Sequence, residues 1–103
     1  IAKAITPATK LISITSPHNP TGMVLSETEL RKIIQLAEEK NIYLLVDETY
    51  RDICFDTPYP LAASVSGKVI SISSVSKAYG LPGVRIGWVI TKDKLLFENA
   101  KQW

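Results

Sequence analysis

Three side chains close together in the sequence could hold one small ligand. Lys77 follows Ser74 by three residues and precedes Arg85 by eight. A lysine amine can form an imine with an aldehyde, while a hydroxyl and a guanidinium suit a phosphate dianion. Pyridoxal phosphate (PLP) carries both an aldehyde and a phosphate, and the pattern therefore favours PLP as the ligand.

The elements that must position these residues follow from the apolar pattern. Short apolar runs, several of them rich in β-branched residues, predict strands at 10–15, 42–46, 68–73 and 84–91. Ser26 and Glu29 form the capping-box pattern, which predicts that a helix begins there. Its apolar stripe comprises Leu30, Ile33, Ile34 and Ala37. Asn41 suits the left-handed position after its end.

The order of these elements predicts an α/β fold. Strand, helix and strand with tight connections form a right-handed βαβ unit. Only about ten residues separate the third and fourth strands, too few for a helical crossover, so the fourth strand is expected to run antiparallel. Residues 52–67 are predicted to be mostly loop with one possible helical turn, and a helical stretch is predicted from Asp93 onward. The predicted fold is part of a mostly parallel sheet with flanking helices.

Composition excludes several classes of protein. The chain has 103 residues, 46% of them hydrophobic, and a net charge of +2 with scattered basic residues. These features argue against disorder, nucleic-acid binding and binding to an anionic membrane. No apolar run has membrane-spanning length. The single cysteine, Cys54, cannot form an internal disulfide, which favours a cytoplasmic location, and it is read as a small half-buried apolar residue.

The polar residues that could do chemistry follow the predicted strands. Asn19 follows the first strand, Asp47 and Tyr50 follow the second, and Ser74 and Lys77 follow the third. Ligands of open α/β sheets bind at the carboxyl ends of the strands. If the fourth strand is antiparallel, Arg85 lies at this same edge, and we expect all six side chains to meet there.

At this point the chain resembles a known family, the fold-type I PLP-dependent enzymes. The resemblance is carried by Asn19-Pro-Thr-Gly22, Asp47-Glu-Thr-Tyr50, and Ser74-x-x-Lys77 followed by Gly80-Leu-Pro-Gly-x-Arg85-x-Gly-Trp88. It extends from about Lys10 to Trp88 and is closest to the large domain of class I/II aminotransferases. Each motif alone is weak, but three in the expected order are specific.

The resemblance implies a role for each matching residue. Lys77 is implied to bind PLP as a Schiff base and then to move a proton between the substrate α-carbon and the cofactor. Asp47 is implied to pair with the pyridine nitrogen and keep it protonated, which strengthens the ring as an electron sink. Lys77, Asp47 and Tyr50 are therefore the expected catalytic residues.

Further contacts to the cofactor are implied in the same way. Tyr50 and Asn19 are implied to contact the phenolic oxygen of the ring, and Ser74 and Arg85 are implied to hold the phosphate. In the family the Asn-Pro bond is often cis, so we carry this to Asn19–Pro20 as a hypothesis. No metal-binding set is predicted.

The resemblance also implies parts that lie outside these residues. The chain is expected to be a fragment (residues 1–103) of the PLP-binding large domain, with an N-terminal segment and a small C-terminal domain absent. The family is commonly homodimeric and acts on amino acids and 2-oxo acids. The fragment alone is therefore expected to be inactive.

Three alternative functions remain open at the level of sequence. The same scaffold hosts PLP-dependent lyases and synthases, and a non-catalytic PLP-fold domain is a further possibility. Ser74-x-x-Lys77 also matches a motif of serine hydrolases such as β-lactamases. In those enzymes the motif should lie at the start of a helix, and the sequence should also contain Ser-Asp-Asn and Lys-Thr-Gly. Neither of those partner motifs occurs in the sequence.

Some residues are predicted to be structural. His18, the only histidine, lacks the company of a catalytic base or a metal ligand and is read as a loop residue. Glu48 and Arg51 are read as structural or salt-bridged, and Trp88 as part of the core.

Overall fold

The fold is a four-stranded sheet with its main helix on one face. The computed structural model describes residues 1–56 and 59–102. The strands are β1 (Leu11–Thr15), β2 (Tyr43–Asp47), β3 (Val69–Ser74) and β4 (Gly87–Thr91), and the α-helices are α1 (Glu27–Glu39) and α2 (Lys94–Ala100). Single turns of 3-10 helix lie at Ala2–Ala4, Arg51–Ile53, Ala62–Ser64 and Pro82–Val84.

The sheet has the predicted mixed topology. Its strand order is β1-β2-β3-β4; β1, β2 and β3 are parallel, and β4 is antiparallel to β3. The α/β class and the direction of the fourth strand are therefore confirmed. The antiparallel pairing sets Ser74, at the end of β3, opposite Gly87, at the start of β4.

Helix α1 begins and ends where the sequence predicts. The Ser26 hydroxyl accepts from the Glu29 backbone N–H at 3.2 Å, and the Glu29 carboxylate accepts from the Ser26 backbone N–H at 2.8 Å. The Ser26 hydroxyl also donates to the Glu29 carboxylate at 2.7 Å, and this bond, together with the one from the Ser26 N–H, lowers the pKa of Glu29. Asn41 takes the left-handed conformation, with φ 52°. The capping box and the C-terminal signal are both confirmed.

The core lies between α1 and one face of the sheet. Leu30, Ile34 and Ala37 of α1 pack there with Leu44 and Val46 of β2. Ile33 is partly buried beside them, which confirms the predicted stripe. The segment after β2, predicted to be mostly loop, contributes more than expected, because its Tyr59, Ala62 and Ala63 are also buried in this core.

The other face of the sheet is left largely uncovered. Alternation along the strands places Leu11, Leu45, Asp47, Ile72 and Val89 on it, and Leu11 and Val89 are about half exposed. Among the described residues α1, the longer helix, covers only the opposite face, where the core lies.

The fourth strand is shorter than predicted at its beginning. The sequence predicts a strand from Val84, but Val84 ends a 3-10 turn and Arg85 has a left-handed backbone, with φ 58°. The turn at Pro82–Val84 reverses the chain before β4 can pair with β3. The strand therefore begins at Gly87.

The described part of the chain has no helix long and apolar enough to cross a membrane. In α1, the longer helix, charged and polar residues occupy the solvent-facing side.

Candidate active site

The carboxyl ends of β1, β2 and β3 form one edge of the sheet. Thr15 of β1 pairs with Asp47 of β2, and Asp47 pairs with Ile72 of β3. Ser74 is the last residue of β3, and Asn19, Tyr50 and Lys77 follow the strand ends in sequence. The parallel register thus brings their segments to the same edge, as predicted.

Asn19 and Tyr50 are in direct contact. The amide nitrogen Nδ2 of Asn19 donates a hydrogen bond to the phenol oxygen of Tyr50 at 3.2 Å. The Asn19–Pro20 peptide bond is cis, as hypothesised, and the Ser16–Pro17 bond is also cis, which the sequence analysis did not anticipate. A phenol that accepts from Asn19 keeps its own O–H free to donate.

Lys77 lies beside this pair. Its Nζ is 6.0 Å from the centre of the Tyr50 ring. Lys77 lies in the turn after β3, and the backbone N–H of Gly80 donates to its carbonyl at 3.1 Å. The structure therefore brings together the amine, the phenol and the amide that the sequence predicted to meet.

Asp47 ends β2 on the uncovered face and is half-buried. Its Oδ1 accepts from the backbone N–H of Thr49 at 3.0 Å. This bond fixes the carboxylate at the strand end while Oδ2 can accept from another donor. The arrangement suits a carboxylate that faces a cationic ring nitrogen.

Ser74 and Arg85 are neighbours through the backbone, but their side chains point to local partners. The N–H of Val75 donates to the carbonyl of Ile86 at 3.2 Å, which places the residues after Ser74 and Arg85 side by side. The Ser74 hydroxyl accepts from the Ser76 N–H at 3.3 Å, and the Arg85 guanidinium donates to the Pro82 carbonyl at 3.1 Å. Arg85 is exposed and has further N–H donors for a phosphate.

A hydrogen bond joins the two loops that carry Lys77 and Tyr50. The Tyr79 hydroxyl donates to Oδ2 of Asp52 at 3.3 Å. The sequence analysis missed this contact because nothing in the local pattern of either residue points to the other.

An apolar groove lies next to the site. Asn19 and Tyr50 line one side of it, with Val24, Ile53 and Phe55, whereas Lys77, Ser74 and Arg85 do not line it. The groove is therefore a neighbour of the predicted cofactor site and not the site itself.

The residues read as structural have the expected surroundings, with one difference. Nδ1 of His18 lies 2.8 Å from the Thr21 hydroxyl, within its own loop, and Cys54 is half-buried. Glu48 and Arg51 form an ion pair at 3.7 Å, as predicted. Trp88 is half-buried and is not among the residues of the main core, contrary to expectation.

The serine hydrolase alternative fails on geometry. Ser74 ends a strand and Lys77 lies in a turn, whereas the hydrolase motif should open a helix. Among the residues that the structure describes, no cluster of potential metal ligands occurs.

Comparison with known proteins identifies the family. The family model described as aminotransferase class I and II matches residues 1–103. A Mycobacterium tuberculosis protein named probable N-succinyldiaminopimelate aminotransferase is 39% identical across 100% of this chain and 28% of its own length. An aspartate aminotransferase of Musicola paradisiaca is 33% identical across 98% of this chain and 26% of its own length.

Solved structures that resemble this chain are also aminotransferases. A PLP-dependent aminotransferase from Streptococcus suis superposes with a TM-score of 0.81 at 40% identity, over 90% of this chain and 25% of that chain. N-Succinyldiaminopimelate aminotransferase from Mycobacterium tuberculosis gives 0.82 at 38% identity, over 92% of this chain and 26% of that chain. The chain belongs to the class I and II aminotransferase family, and it spans about a quarter of the length of these relatives.

Proposed function

We propose that this chain is part of the large domain of a PLP-dependent aminotransferase that moves an amino group from an amino acid to a 2-oxo acid. The observation that carries the proposal is the grouping of Lys77, Tyr50 and Asn19 at the strand-end edge that also bears Asp47. Membership of the family supports the reaction class.

The polar groups at this edge fit PLP. An amine suits its aldehyde, a carboxylate suits its ring nitrogen, and the O–H of Tyr50 suits its phenolic oxygen. Ser74 and Arg85 supply a hydroxyl and a guanidinium for its phosphate once Arg85 turns from the Pro82 carbonyl. Bound PLP would supply an aromatic ring that accepts the electron pair left when the substrate α-carbon loses its proton.

Each side chain has one task in this proposal. Lys77 would hold the cofactor through its amine and would move a proton between the substrate α-carbon and the cofactor. Asp47 would help to keep a proton on the ring nitrogen by placing its carboxyl oxygen against that nitrogen. Asn19 and Tyr50 act as a unit, because the hydrogen bond from the Asn19 side-chain amide to the phenol oxygen leaves the phenol hydrogen free to donate to the cofactor.

The wider context is proposed on the same basis. The full-length protein would add an N-terminal segment and a small C-terminal domain, and two copies would form a homodimer in the cytoplasm. Other segments of the large domain would cover the sheet face that bears Leu11 and Val89.

The reaction is tested with the full-length protein, PLP, a panel of amino acids and a panel of 2-oxo acids. Formation of a new amino acid and a new 2-oxo acid in equal amounts is expected. Release of ammonia with a broken Cβ bond would instead identify a lyase and contradict the proposal.

A further inference from the structure

Next to the proposed site, a series of polar contacts links Glu48, Arg51, Tyr59 and Ser16. Oε1 of Glu48 lies 3.7 Å from Nε of Arg51, and Nη2 of Arg51 donates to the carbonyl of Tyr59 at 2.9 Å. The Tyr59 hydroxyl donates to the carbonyl of Ser16 at 3.0 Å. The Ser16 N–H donates to the carbonyl of Asp47 at 3.0 Å, which returns the chain of contacts to the residue next to Glu48.

Three of the residues that make these contacts are shielded from water, whereas the Arg51 side chain is 23% exposed. Glu48, Ser16 and Tyr59 are 2%, 0% and 9% exposed. Burial raises the pKa of Glu48, while hydrogen bonds from Ser71 and Ala62 and the charge of Arg51 act in the opposite direction. Within the described residues Oε2 of Glu48 and Nε of Arg51 have no hydrogen-bond partner, although Nη1 of Arg51 also lies 3.3 Å from Oδ1 of Asp52. Removing the charge of Glu48 would therefore leave Arg51 with only the more exposed carboxylate of Asp52.

The contacts join two loops that carry site residues. Ser16 begins the loop that contains Asn19, and its hydroxyl also accepts from the N–H of Leu25 at 3.0 Å, where that loop ends. Arg51 directly follows Tyr50. Neither the Asn19 side chain nor the Tyr50 side chain is held by a buried partner of its own among the described residues, and their mutual bond is exposed.

We propose that Glu48, Arg51 and Tyr59 are positioning residues that hold Asn19 against Tyr50. Glu48 holds Arg51 by its charge, Arg51 holds Tyr59, and Tyr59 holds the start of the Asn19 loop. This inference rests on the proposed function for its meaning, since the Asn19–Tyr50 pair is proposed to contact the cofactor.

Two variants of the full-length protein test the inference. Tyr59→Phe removes only the hydroxyl that holds Ser16. Glu48→Gln keeps an oxygen for the Ala62 N–H, which donates to Oε1 at 3.4 Å, but removes the charge that faces Arg51. The matched control is Tyr43→Phe, because Tyr43 donates its hydroxyl to Asp93 at 2.6 Å, outside this set of contacts.

The first readout needs no cofactor. Hydrogen exchange measured on the PLP-free protein follows the amides of His18, Gly22 and Leu25, all of which donate within the loop. Losing the buried hydrogen bond to Ser16 should speed their exchange about fivefold in Tyr59→Phe, and losing the charge that faces Arg51 should speed it in Glu48→Gln as well. Tyr43→Phe should leave it unchanged. Equal exchange in a folded Tyr59→Phe variant and the parent would overturn the inference, whether or not PLP binds.

The second readout is the pH midpoint of the visible band of the bound cofactor. A looser Asn19–Tyr50 pair should shift this midpoint by roughly half a pH unit in both variants and not in Tyr43→Phe. Faster exchange with an unchanged midpoint would show a purely structural set of contacts and would also overturn the inference. A parent protein without any visible band would contradict the proposed function alone, and the exchange result would still decide the inference.

Discussion

The amide of Asn19 donates a hydrogen bond to the phenol oxygen of Tyr50 at 3.2 Å, although the two residues are separated by 31 positions in sequence. One follows β1 and the other follows β2, and the parallel pairing of these strands brings them together. Because the phenol oxygen accepts from Asn19, the phenol hydrogen of Tyr50 stays free to donate to a ligand.

This pair predicts non-additive effects on catalysis. Asn19→Ala and Tyr50→Phe should each lower kcat/KM, and the double variant should lose less than the product of the two losses. The shared bond corresponds to a coupling of about 1 kcal/mol, or roughly fivefold. Kinetics of the three variants and the parent form the cycle. Fully independent effects would mean that the contact has no role in the reaction.

Asp47 should matter for turnover more than for binding. Asp47→Asn keeps the shape and the bond from Thr49 but removes the charge proposed to stabilise the protonated ring. We expect PLP to remain bound while kcat falls roughly a hundredfold, as for loss of a preorganised charge. The exposed Asp56→Asn serves as a control and should keep normal turnover. Near-normal kcat in Asp47→Asn would remove its proposed role.

Gly87 is a position where a methyl group does not fit. A Cβ there would lie 2.9 Å from the backbone oxygen of Ser73, so β4 would have to shift away from β3. Gly87→Ala should lower the free energy of unfolding by roughly 1–3 kcal/mol and weaken PLP binding, because Ser74 pairs with Gly87. Gly67→Ala meets no atom within 4 Å and is the matched control. Equal stability of the two variants in denaturant titrations would contradict this account.

The bond between Tyr43 and Asp93 makes part of the stability depend on pH. The Tyr43 hydroxyl lowers the pKa of Asp93, and Asp93 in turn raises the pKa of Tyr43. The contribution is therefore complete between about pH 4 and pH 10. It is lost as the pH falls through the lowered pKa of Asp93, or rises through the raised pKa of Tyr43.

Asp93→Asn isolates the acid side of this dependence. Asparagine can still cap α2 by accepting from the Leu96 N–H, as Asp93 does at 3.0 Å. In urea titrations the variant should be less stable than the parent at pH 7, and the difference should shrink below about pH 4. A stability difference between variant and parent that does not change with pH would contradict a role for the charge of Asp93 in its bond with Tyr43.

Local patterns predicted the elements of this fold well. The capping box at Ser26 and Glu29 and the left-handed Asn41 involve residues close in sequence, so their chemistry is visible without the structure. The antiparallel β4 followed from a connection too short for a crossover helix. These signals depend on short-range geometry alone.

The polar contacts below the site could not be predicted in the same way. Alternation along β2 places Glu48 on the covered face with Leu44 and Val46, which is a signal that was available. The bond of Tyr59 to Ser16, by contrast, spans 43 positions and depends on how a loop folds back. The left-handed Arg85 is likewise set by its turn, since arginine has no local preference for that conformation.

The central claim is that Lys77 binds PLP at the edge shared with Asp47 and Tyr50. The most direct test is the visible absorption spectrum of the full-length protein with PLP, before and after borohydride, in the parent, in Lys77→Ala and in the exposed control Lys32→Ala. The account predicts a band that borohydride bleaches in the parent and in Lys32→Ala and that is absent from Lys77→Ala. An unchanged band in Lys77→Ala would contradict it.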